Sequence, residues 1–213
     1  MVELSGDIPF LWRLSAESSE GLCAVAMVVP FESESEDECK DLTIETSVVS
    51  FPSDSSRSEH AEMLEWNQDD ISLFLKLVTH EQQGQHHAVT DTVRIDLTDP
   101  AIIEIIHVVA AAGFGMAFTS YGVLRDSLEK YPAHFCDIGS FASLDTVDGF
   151  KRCVVVDLDG DDVVCVLLDE IDVISVGEFE QLGRHDLLMV KQADLLHPDF
   201  AASATRPHSA VLH

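Results

Sequence analysis

Basic residues are scarce in this chain. Its 12 Lys and Arg stand against 39 Asp and Glu, a formal net charge of −27 at pH 7. So large an acidic excess repels phosphate backbones, and the few cations are scattered, so direct nucleic-acid binding is not expected. Long apolar runs are also missing. No stretch approaches the ~20 residues of a membrane span, and Ile8 to Leu14 is too short and too broken by charge for a signal peptide. The expectation is a cytoplasmic protein with no membrane partner. The five cysteines form no CxxC pair and no zinc-type spacing, which points to a reducing compartment without a structural metal. Cys153 and Cys165 lie in apolar runs and read as small buried hydrophobes.

Signatures of catalysis are equally thin. The ten histidines include no HExxH, and His86-His87 lie in a Gln/Gly-rich stretch that reads as a loop or helix end. There is no GxSxG and no cysteine in an activating context. Gly113 to Phe118 lacks the third glycine and the Gly-Lys-Ser/Thr of a nucleotide loop, and reads as a turn leading into a strand. No cofactor is expected.

The most informative stretch runs from Asp148 to Leu182. Phe150 to Val156 and Val163 to Leu168 are Val/Leu-rich runs around the acidic, Gly-containing turn Asp157-Leu158-Asp159-Gly160-Asp161-Asp162, which predicts a β-hairpin. A further strand is expected at Val173 to Val176, and strands at this spacing describe a small antiparallel barrel. An apolar strand entering Asp157-Leu158-Asp159-Gly160 is also how haloacid-dehalogenase phosphatases begin, with Asp157 as nucleophile and Asp159 as general acid. That alternative requires a crossover helix after Gly160, where a tight turn and another strand are predicted instead. An EF-hand is weaker still, since the glycine sits at the wrong offset from the acids.

Residues 1–87 read as an acidic α/β region. Leu22 to Val29 and Leu42 to Val49 are predicted strands, and Glu32 to Glu38 and Pro52 to Ser58 predicted loops. Ser33 and Ser35 precede acids and are candidate phosphorylation positions. Ser58 to Leu77 carries apolar residues at helical spacing, broken near Asn67 to Asp70, where an Asp can cap a second helix. Beyond Ala88, Val93 to Leu97 alternates as a strand and Thr98-Asp99-Pro100 reads as a turn. Ile102 to Val109 is β-branched enough to favour a second strand, and Tyr121 to Tyr131 reads as a helix ended by Pro132.

Strand, Asp-Pro turn, strand and linking helix, then Gly139-Ser140-Phe141-Ala142 and Asp148-Gly149-Phe150-Lys151-Arg152-Cys153-Val154, resemble an extended Tudor domain. Leu167 to Asp172, Val176 to Leu182 and Met189 to Leu196 are similar to that family's later strands, so the resemblance spans roughly 88–200. It implies an α+β fold: an SH3-like Tudor β-barrel (core about 134–182) joined by a helix to a nuclease-like β subdomain, together forming a domain over 88–213. Family members read symmetrically dimethylated arginine with an aromatic cage and an Asn. The matching positions here are Leu144, Lys151, Leu167 and Glu170, with Asp172 in place of the Asn. Without aromatic faces the ~2 kcal/mol or more of a desolvated cation–π contact is lost, and Lys151 repels a guanidinium. Methylarginine reading is therefore expected to be absent.

Glu170 and Asp172, with Asp145 and Asp148 on neighbouring predicted loops, leave an acidic mouth for an unmodified basic or mixed peptide, or simply solvated loop acids. Arg94, Asp96 and Asp99 lack the second arginine a staphylococcal-type nuclease needs. The resemblance thus implies a noncatalytic adaptor that grips peptide segments of protein partners in germline small-RNA (piRNA-type) granules. The oligomeric state is left open.

Overall fold

The computed structural model describes residues 2–4, 10–30, 41–51, 60–82, 93–120, 122–125, 136–172 and 181–204. The chain is α+β, mostly strands with few helices, and its contacts divide it into two compact units, Met1–Gly115 and Met116–His213. That division falls well beyond the boundary expected at 87/88.

The first unit contains β1 (Val2–Leu4), β2 (Leu11–Leu14), β3 (Cys23–Val29), β4 (Leu42–Ser50), β5 (Glu62–Glu65), α1 (Gln68–Gln82), β6 (Val93–Ile95) and α2 (Pro100–Phe114). An antiparallel sheet orders as β4-β3-β2-β5, and β1 pairs separately with β6. α2 packs on α1, β4 and β3, which draws residues 93–114 into this unit. Ile102 to Val109, expected as a strand, is the body of α2. Asp99 accepts the Ala101 N–H at 2.9 Å as N-cap, and Pro100 supplies a preset φ at the first turn. Seven residues between Ile102 and Ala111 are buried, and only Glu104 and His107 interrupt the apolar run, so the polar side is too narrow to betray the helical period.

Upstream of α1, the stretch from Glu62 to Glu65 is strand β5 rather than helix. Asn67, not an aspartate, takes the N-cap: its Oδ1 accepts from Asp69 N at 2.8 Å and Asp70 N at 2.9 Å. Asp70 Oδ2 in turn accepts the Asn67 N–H at 3.0 Å, a reciprocal capping arrangement. Phe10, Trp12, Trp66 and Phe74 form the aromatic centre of this unit, with Trp12 and Trp66 stacked at 4.8 Å.

The second unit contains β7 (Ala117–Thr119), β8 (Phe141–Thr146), β9 (Gly149–Asp159), β10 (Asp162–Leu167), β11 (Ile171–Asp172), β12 (Gln181–Leu182), β13 (Leu187–Lys191), β14 (Leu195–Leu196) and α3 (Asp199–Ala204). Six strands order as β14-β8-β9-β10-β13-β7, all antiparallel except β13 with β7, while β11 and β12 pair by themselves. The expected hairpin is β9–β10, turning at Gly160-Asp161 with Gly160 at φ 63°. A bulge between Val164 and Cys165 increases its twist. The expected barrel is not closed: among the described residues β14 and β7 remain opposite edges of one sheet. Gly122-Val123 is a turn and Leu124 bridges to Thr146, so the start of the expected Tyr121 to Tyr131 helix is not helical.

One face of this sheet carries the unit's core, with Leu144, Cys153, Cys165, Leu167, Leu188 and Leu195 fully buried. Contact with the Cys153 thiol, and burial, push the Cys165 thiol well up, as suits an inert packing cysteine. Glu32 to Glu38 with Ser33 and Ser35, Pro52 to Ser58, His86-His87, Asp126 to Tyr131 and Val173 to Val176 lie outside the described residues.

Candidate functional site

The five positions matched to the Tudor cage separate into two groups. Leu144 on β8 and Leu167 on β10 are fully buried in the core, where alternation along each strand points them inward. They cannot line an open mouth. Lys151 lies opposite Leu144 in the β8–β9 register, and its ammonium reaches Asp148 Oδ2 at 2.6 Å. Glu170 and Asp172 are exposed on and beside β11, and Glu170 Oε2 accepts from Gln181 Nε2 at 3.3 Å.

Asp148 is the point where the polar group converges. It sits in the β8–β9 turn ahead of Gly149 (φ 95°), and the same Oδ2 that holds Lys151 also accepts the Asp172 N–H at 3.3 Å. The hydrogen bond from Lys151 and the Asp172 backbone N–H, helped by the charges of Lys151 and Arg125, hold its carboxyl below the usual range against the opposing effect of desolvation. Lys151 is thus neutralised within the protein, and the net charge displayed is that of Glu170 and Asp172.

A second ion pair braces this end of the sheet. Arg152 grips Asp169 with Nε at 3.0 Å from Oδ2 and a terminal nitrogen at 2.5 Å from Oδ1, and its backbone N–H donates to Oδ2 at 2.9 Å. Burial pushes the Asp169 carboxyl up, but these Arg152 bonds prevail and hold it low. Residue types alone carry no signal of this clamp, because its partners are 17 residues apart. Asp145, expected on a loop, lies on β8 and is only 9% exposed.

No family model and no curated protein matches this chain.

The remaining chemistry is read from geometry. Asp157 and Asp159 belong to β9, and the chain returns at once through Gly160-Asp161 into antiparallel β10. A phosphatase of the kind considered needs a parallel strand reached through a crossover there, so the hairpin argues against it. Asp157 Oδ1 instead accepts the neighbouring Leu158 N–H at 2.8 Å. Asp96 accepts both the N–H and hydroxyl of Thr98, and Asp99 caps α2, so both acids make local bonds. Among the described residues no three His, Cys, Asp or Glu are placed to hold a metal ion, and no helix is long and apolar enough to cross a membrane.

Proposed function

We propose that this chain is a noncatalytic interaction adaptor that binds an unmodified basic or mixed peptide segment of a protein partner. The observation that carries this reading is the exposed pair Glu170 and Asp172, beside a Lys151 already neutralised by Asp148. An acidic, solvent-facing edge next to a rigid antiparallel sheet suits a cationic peptide, with charge complementarity governing encounter and register. None of the five cage-matched positions carries an aromatic ring, which supports recognition without methylarginine. The resemblance to extended Tudor domains extends the proposal to a cytoplasmic, germ-granule scaffold of a piRNA-type pathway. That cellular role rests on the resemblance alone.

The test is a titration of the full chain with paired synthetic peptides, each Arg/Gly-rich and either unmodified or symmetrically dimethylated. Equal binding of the pair, weakened by Glu170→Gln/Asp172→Asn, is the expected result. A strong preference for the methylated member, or binding indifferent to the double substitution, overturns this assignment of the mouth.

A further inference from the structure

The face of β8 and β9 opposite the core carries Ser143, Asp145, Phe150 and Arg152. The register sets Asp145 directly across from Phe150 and Ser143 across from Arg152, so all four side chains share one surface. α3 is tied onto that surface through Ser143, whose hydroxyl donates to Pro198 O at 3.0 Å and accepts from Ala201 N at 3.1 Å. This tether brings the ring of Phe200 to 5.5 Å from that of Phe150, inclined at 41°. Phe150 nevertheless remains 37% exposed.

Asp145 is the anomaly on this face. It is nine-tenths buried, yet among the described residues no donor bonds its carboxylate. Its backbone carbonyl accepts the Arg125 N–H at 2.9 Å, while the Arg125 guanidinium donates to Val147 O at 2.7 Å. Arg152, the other cation on the face, is clamped by Asp169. A carboxylate on a residue so largely covered, and given no donor by the described residues, has acceptor capacity that a ligand can fill. Its oxygens are not sealed in: the only fully enclosed, unbonded side-chain polar atom among the described residues is Trp66 Nε1.

We propose that Asp145, Phe150 and Phe200 form a docking site for an arginine side chain of a partner peptide. The guanidinium combines the two properties this surface asks for. It donates two parallel hydrogen bonds to a carboxylate, and it presents a flat, weakly hydrated face that stacks on aromatic rings. A lysine ammonium matches the charge but not the planar contact. This site uses residues other than Glu170 and Asp172, although Asp148 in the adjoining turn bonds the Asp172 N–H, and it does not depend on any resemblance to Tudor domains.

The experiment titrates the full chain, at physiological salt, with fluorescein-labelled Gly-Arg-Gly-Arg-Gly and with the same peptide carrying neutral citrulline. Citrulline keeps the shape and removes the charge. The arginine peptide binds and the citrulline peptide binds roughly tenfold more weakly or worse, as expected for loss of a charge-assisted pair. Asp145→Asn weakens the arginine peptide by a similar factor, about tenfold, while changing one of 39 acids and so leaving diffuse attraction nearly intact. Phe150→Leu, at an exposed position that tolerates change, weakens it by about threefold through loss of the ring face. Glu170→Gln/Asp172→Asn also weakens it, because the same peptide meets the acidic edge proposed above, so this site is judged on Asp145→Asn, Phe150→Leu and the arginine–citrulline difference. Binding unaffected by both Asp145→Asn and Phe150→Leu overturns the proposal, as does failure of the wild-type chain to bind. Loss in the Glu170/Asp172 variant with retention in Asp145→Asn would also overturn it, and would assign arginine to the edge instead.

Discussion

Trp12 and Asp70, 58 residues apart, are joined by an indole N–H donated to Asp70 Oδ2 at 3.2 Å in the centre of the N-terminal unit. The same oxygen closes the cap of α1 by accepting from Asn67 N, so one buried atom serves both helix and sheet.

Burial raises the Asp70 carboxyl, aided by the charge of Asp69 and opposed by the bonds from Asn67 and Trp12. A raised folded-state value means that its contribution to stability is fully present below the ordinary carboxylate range and lost as pH rises through the folded value. Asp70→Asn keeps an acceptor and removes the titration. Its stability relative to wild type is therefore expected to increase between pH 4 and pH 7 in urea unfolding followed by circular dichroism. Asp70→Ala orphans both donors and is expected to cost about 1–3 kcal/mol. A pH-independent difference between Asn and wild type would contradict the first expectation.

Leu144 and Leu167 are core residues despite matching cage positions. Either one changed to Ala should destabilise the second unit by about 2–5 kcal/mol in chemical denaturation. Restoring aromatic residues there should not create a cation site, because the rings would be driven into the packed face at about 1–3 kcal/mol. Gain of methylarginine binding by Leu144→Trp/Leu167→Tyr would refute this placement.

Asp148 and Asp169 behave oppositely to Asp70. Both carboxyls are held low, Asp148 by Lys151 and the Asp172 N–H, and Asp169 by Arg152 in spite of burial. Their stabilisation is present above the ordinary carboxylate value and lost as pH falls through the depressed folded values. Protection factors of the β8–β10 amides, with intrinsic exchange divided out, should therefore fall from pH 5 toward pH 2 in wild type. The fall should be shallower in Asp148→Asn and Asp169→Asn. Identical profiles would show that these pairs do not set the acid limit.

Hairpin β9–β10 was legible because β-branched runs, a glycine needing positive φ and local pairing all act within a few residues. Strands β3 and β4 and the break before α1 were readable for similar reasons. α2 was not. Ile102 to Val109 carries the β propensity of a strand, and only the Asp99-Pro100 start, easily taken for a turn, announces a helix. Its apolar surroundings then override propensity, since burial of most of its surface leaves only Glu104 and His107 as a periodic signal. The site was legible only in part. Lys151, Asp148 and Asp172 do converge, but inward or outward facing of Leu144 and Leu167 depends on strand register, which residue types alone left unspecified. Phe150 and Phe200 come together where α3 is fastened to Ser143, a contact spanning 55 residues.

The stacked pair at the centre of the first unit has an optical consequence. Trp12 and Trp66 are the only tryptophans in the chain, while both tyrosines, Tyr121 and Tyr131, belong to the span of the second unit. Indole emission excited at its red edge therefore witnesses melting of the first unit alone. Set beside far-ultraviolet circular dichroism, which sums over the whole chain, this built-in dye tells without any label whether that unit melts with the rest or in a step of its own.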